Sequence, residues 1–180
     1  MRRLESHQYH AAMNSQMNNF LDAVDRLIAL INAELRQRGI DHSVSQLDRQ
    51  QLLECKKSPM DCLLNYDFPM FTPHRNLVFV DTKRQFGSYI VFGNDPAYNN
   101  FYVLDLESDN RVLAIDQESG IVTHTCARDF DSFLSAFAVL IDRDVANRAE
   151  QGSSTDGWIE RAVAEAGGEE YQSFYEFMIA

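Results

Sequence analysis

The sequence predicts an α+β fold, with a central, largely antiparallel sheet of about five or six strands packed by a long N-terminal helix and by C-terminal helices. Three observations carry this prediction. Five short β-like runs crowd into residues 77–126. A long stripe of helical periodicity precedes them, and helical segments follow them. The segments Ser108-Asp109-Asn110 and Gln117-Glu118-Ser119-Gly120 are too short for helical crossovers, so neighbouring runs should form hairpins.

Residues 1–12 are polar and predict a flexible N-terminus ahead of a single domain spanning 13–180. From Met13 to Arg36, apolar side chains recur at Met13, Met17, Phe20, Leu21, Val24, Leu27, Ile28, Ile31 and Leu35. Steps of three and four place them on one face of a helix that stops near Gly39. Part of the stripe also fits a heptad seam, so this helix packs on the domain's own sheet or against a second copy. A shorter helix is expected from Ser45 to about Lys56, with Ser45 and Asp48 as a loose capping box. Pro59, Pro69 and Pro73 then punctuate an irregular stretch that tucks in Leu63, Leu64, Phe68 and Phe71.

The strands are expected at Leu77–Asp81, Gly87–Phe92, Phe101–Leu106, Arg111–Ile115 and Ile121–Cys126, each rich in β-branched or aromatic residues. Within the third, Tyr102, Leu104 and Leu106 share a face, while Phe101 and Val103 point the other way. Both sides of the sheet therefore carry apolar groups. Helices should cover one side fully and the other in part. Asp129 or Asp131 caps the next helix, whose stripe is Phe130, Phe133, Leu134, Phe137, Leu140 and Ile141. The run 152–157 reads as a flexible break, followed by terminal helices at Trp158–Ala166 and Glu169–Ile179.

A chain of 180 residues that is 45% hydrophobic and 24% charged can bury a proper core. Its apolar runs fall far short of the roughly 20 residues that span a bilayer. Met1-Arg2-Arg3 is basic, yet Glu5, His7, Gln8 and His10 follow where a signal peptide needs an apolar stretch. A cytoplasmic protein is expected. Cys55, Cys62 and Cys126 are odd in number and have no Cys-x-x-Cys spacing, which argues against a disulfide framework or a zinc site. The net charge is −11, and residues 129–180 account for −8 of it, with eleven acids and three bases. Direct nucleic-acid binding is disfavoured, because that contact needs Lys and Arg against phosphate. An acidic surface suits a basic protein partner.

The chemistry-bearing residues are sparse. His124 and Cys126 lie two apart on a strand and could form a nucleophile–base pair in a small hydrolase, although no third group orients them. Asp105-x-Glu107-x-Asp109-Asn110 looks superficially like a calcium loop, but it has Asn110 where Gly is required and Asp116 where Glu is required. His7, His10, His42 and His74 show no ligand spacing. No catalytic residue, cofactor or metal is expected.

From Gly87 onward the order of parts resembles the SUKH superfamily, which groups fungal cell-wall synthesis regulators with bacterial immunity proteins. The carrying residues are Tyr89-Ile-Val-Phe-Gly93, Asn100-Phe-Tyr-Val-Leu-Asp105, Val112-Leu-Ala-Ile-Asp116-Gln117-Glu118 and Asp131-Ser-Phe-Leu-Ser-Ala-Phe137. Gln117 stands where the family commonly has His. The resemblance implies an α+β domain without catalysis that, in bacteria, neutralises a cognate toxin, often a basic nuclease. The expected partner is thus a basic toxin domain occluded by the chain, itself a monomer or homodimer. An intracellular regulatory or scaffolding module is the alternative. Asp95, Asp105, Glu107, Asp109, Asp116 and Glu118, placed near hairpin tips, are the candidate partner-binding residues, chosen for expected exposure and for sign.

Overall fold

The strands follow one another in space as they do in sequence. The structure, a computed structural model, describes residues 2–44, 71–74, 76–149 and 157–179. The expected helix from Ser45 to Lys56, the stretch around Pro59, Leu63, Leu64 and Phe68, and residues 152–156 of the expected break lie outside them. The elements are α1 (Arg2–Gln37), β1 (Phe71–His74), β2 (Leu77–Phe86), β3 (Tyr89–Asp95), β4 (Asn100–Asp105), β5 (Arg111–Asp116) and β6 (Val122–Ala127). Then come α2 (Phe130–Ala149), α3 (Trp158–Ala166), a 3-10 turn (Glu169–Tyr171) and α4 (Gln172–Ile179). All six strands pair antiparallel, in the order β1-β2-β3-β4-β5-β6. This is the α+β architecture that the sequence predicts.

Three differences have local causes. The stretch holding Pro73 is expected to be irregular, but a proline that lacks an N–H is tolerated at a sheet edge, and among the described residues β1 has only β2 as a neighbour. β2 continues through polar residues to Phe86, beyond the expected end at Asp81. The hairpin drives that extension: Phe86 pairs with Tyr89, and Gly87 takes a φ of 57° in the two-residue turn between them. Helix α1 begins at Arg2, ahead of the apolar stripe, so residues of the expected flexible N-terminus are helical.

Alternation divides the sheet into two sides. Tyr102 and Leu104 pack on one side with Phe92, Val112 and Ala114, while Val91, Val103, Leu113 and Ile115 form a separate cluster on the other. Among the described residues, every helical side chain of the core belongs to the first side. There Met17, Phe20, Leu21, Val24 and Ile28 of α1 are buried, and Phe20 meets Phe79 edge-on at 6.3 Å. The α1 stripe from Met17 to Ile28 thus packs within this chain. Arg26 bonds Asp142 of α2 at 2.7 Å, and Arg148 reaches Glu34 at 3.2 Å.

Helix α2 is held from several sides. Asp129 is its N-cap, accepting the backbone N–H of Ser132 at 2.7 Å. The expected stripe is buried, and so are Ser132, Ser135, Ala136, Ala138 and Val139. Small side chains here let α1 and α3 approach, so α2 becomes the hub of the helical layer. Tyr171, Phe174, Tyr175 and Met178 face inward as their spacing predicts, each no more than 1% exposed.

Gly93 explains one position of the Tyr89–Gly93 motif. A Cβ there would lie 3.1 Å from the Val78 carbonyl oxygen and 3.2 Å from a Leu77 methyl. A side chain at that point would have to push β2 back by a few tenths of an ångström, so glycine eases the close approach of β2 and β3.

Candidate functional site

The six candidate carboxylates sit at opposite ends of the sheet. Asp95 and Asp116 flank Asn100 in one row of cross-strand partners, with Glu118 in the adjoining turn. Asp105 lies in the row of Tyr89 and Arg111 at the other end, with Glu107 and Asp109 in its turn. Five residue steps along β4 separate the two rows, about 17 Å at strand rise. The meander thus makes two groups of three.

Exposure divides them again. Asp95 is 1% exposed and Asp105 8%, so neither is the solvent-facing tip residue expected from sequence. Both cap turns. Asp95 Oδ1 accepts the N–H groups of Ala97 and Tyr98 at 2.9 and 3.3 Å, and Asp105 Oδ1 accepts that of Glu107 at 3.1 Å. The Tyr102 hydroxyl lies 3.5 Å from Asp95 Oδ2 and donates to the Asn76 carbonyl at 3.0 Å. Desolvation pushes the Asp95 carboxyl above its ordinary range, and those hydrogen bonds hold it back. Asp116 plays the same capping role in the open. Its Oδ1 accepts from the Ser119 hydroxyl and N–H, both at 2.7 Å, and from the Glu118 N–H at 3.2 Å. The Ser119 bonds hold this carboxyl below its usual range. Glu107, Asp109 and Glu118 remain exposed, and Asp109 takes a φ of 53° that Asp tolerates better than most residues.

His124 and Cys126 do not form a nucleophile–base pair. Cys126 is fully buried, its Sγ faces the His124 backbone carbonyl at 3.9 Å, and burial raises its thiol well above the ordinary value. A thiol in that setting stays protonated and inert. The His124 imidazole stacks on Phe177 at 4.9 Å and approaches Phe174 at 5.7 Å, with Nδ1 buried and without a hydrogen-bond partner among the described residues. Desolvation lowers its pKa, so the ring is neutral packing material under α4. Tyr175 donates to the Cys126 carbonyl at 2.9 Å and closes this corner of the core. Cys126 is thus closed to a substrate, while His124 is half-buried.

The calcium-like run is a hairpin turn followed by a strand, with Asp105 and Asp116 at opposite ends of the sheet. No group of three or more His, Cys, Asp or Glu among the described residues could hold a metal ion. No helix among them is long and apolar enough to cross a membrane.

What the sequence reading missed is a cleft of about 280 Å³ on the second side of the sheet, running between Phe86 and Tyr89 at one end and Asp116 and Gln117 at the other. Its signal was present in the odd-numbered apolar residues Val91, Phe101, Val103 and Ile115, which fall opposite the helix-packed set. Recognising a cleft needed the strand register, which lines those residues up.

Comparisons with family models, with curated proteins and with solved structures find no match for this chain.

Proposed function

We propose that this chain is a non-enzymatic, cytoplasmic protein-binding module of the SUKH immunity type, which neutralises a basic toxin domain by covering it. Charge is the observation that carries the reading: 27 acids stand against 16 bases, for a net −11. Such a field draws basic proteins into encounter and repels nucleic acid. The residue-level resemblance of Tyr89–Phe137 to that family supports the same reading. In the structure, this block is one continuous unit from β3 into α2. Glu107, Asp109, Asp116 and Glu118 are retained as candidate contacts. Asp95 and Asp105 serve the turns instead.

The test is kinetic. The purified chain is mixed with the toxin domain encoded in the adjacent reading frame, and the association rate is followed as salt is raised. We expect tight one-to-one binding whose association rate falls about tenfold or more from low to high salt. A salt-insensitive rate removes the electrostatic reading. Co-purification with several host proteins and no toxin favours the regulatory alternative.

A further inference from the structure

The cleft on the second side of the sheet has a chemistry of its own. Phe86, Tyr89, Val91, Phe101, Val103 and Ile115 line it, and all belong to strands β2 to β5. Around it, Phe86 remains 55% exposed and Val122, the cross-strand partner of Ile115, 43%. Ile121, next to the cleft-lining Gly120, is 65% exposed. Single exposed apolar residues need no explanation, but exposed ones at both ends of an apolar floor suit an interaction surface.

One end differs in kind. Asp116 and Gln117 line it, and Ser119 ties the Asp116 carboxylate in place through two bonds of 2.7 Å. The apolar floor therefore ends at Asp116, whose carboxylate is fixed in the adjoining turn. We propose that it is an anchor site for a basic protein partner, taking one bulky apolar side chain whose neighbouring lysine or arginine sits beside Asp116. This rests on the protein-binding reading above and specifies the contact within it.

Size and charge select this occupant. The cleft, about 280 Å³, has room for one anchor side chain of the kind that fills pockets at protein interfaces. The net charge of −11 opposes a second copy of the chain and an anionic lipid surface alike. A cationic protein meets neither obstacle.

The experiment uses the full chain with labelled methyl groups and three short peptides, read by NMR. One peptide carries a tryptophan between lysines, one a serine between lysines, and one a tryptophan between glutamates. We expect only the lysine–tryptophan peptide to shift the methyls of Val103 and Ile115. Phe86→Ser and Asp116→Asn should each weaken that binding about tenfold. Both variants should fold, because Phe86 is largely exposed and Asn keeps an oxygen for the Ser119 cap. If both lysine peptides shift only the amides of Glu107, Asp109 and Glu118, the anchor site is wrong and the charge-based reading stands. If neither lysine peptide binds, both fall. Equal shifts from the glutamate peptide overturn the requirement for a cation, and with it the proposal. Methyl contacts in the free protein from Val103 or Ile115 to residues 45–70, or to a second copy, identify a different occupant and also overturn it.

Discussion

The two sides of the sheet are made by the same strands and meet different fates. On the helix side, aromatic rings interlock: Phe92 lies 5.4 Å from Phe133, Phe133 lies 4.5 Å from Phe137, and Tyr102 meets Phe174 edge-on at 6.1 Å. Helices α1, α2 and α4 supply the facing surfaces. On the other side, valines, a leucine and an isoleucine pack mainly against their strand neighbours, and a cleft stays open above them. Strand alternation placed apolar groups on both sides. Among the described residues the difference is what packs on top: helices cover the first side and none of their core side chains reaches the second.

Substitutions can break that comparison. The largest effect is expected for Phe133→Ala, which empties a fully buried position in the ring network and should cost about 3–5 kcal/mol in urea denaturation. Val103→Ala, on the second side, should cost less, about 2 kcal/mol, because neighbours bordering a cleft can relax into the space. Equal losses would show that the second side is packed as rigidly as the first.

A smaller effect concerns Asp131 in the first turn of α2. Burial, with the nearby Asp129 carboxylate, pushes its pKa up from 3.8 to about 7. The helix N-terminus opposes that shift, since its dipole favours a carboxylate. The folded state therefore holds a proton that the unfolded chain has released. The stability this contributes is complete below pH 4 and is lost as pH rises through about 7. Asp131→Asn, neutral throughout, should raise stability by about 1 kcal/mol above pH 7, after allowance for solvent screening, and leave it unchanged near pH 4. Thermal melts at the two pH values measure this. A gain of equal size at both would mean that proton linkage is not the cause.

The smallest stability change is expected for Phe86→Ser, within about 0.5 kcal/mol, because the ring is more than half exposed already. A loss of several kcal/mol would place Phe86 in the core and close the cleft as a contact surface.

Periodicity and turn chemistry carried much of the architecture. The helix at Trp158–Ala166 was legible to the residue, since its stripe and the glycines that flank it are local signals. The split of Tyr102 and Leu104 from Phe101 and Val103 followed from a repeat of two, which no distant contact can change. Asp95 shows where such reasoning stops. Its place near a hairpin tip was legible, but its burial depends on Asn76 and Tyr102, and the Tyr102 hydroxyl in turn lies against Met178. Those groups come from three separate stretches of chain. The length of β2, the burial of the first half of α2 on nearly all sides and the cleft over Val103 have the same origin. Each depends on which distant surface arrives, whereas a side chain's direction along a strand or helix follows from backbone geometry alone.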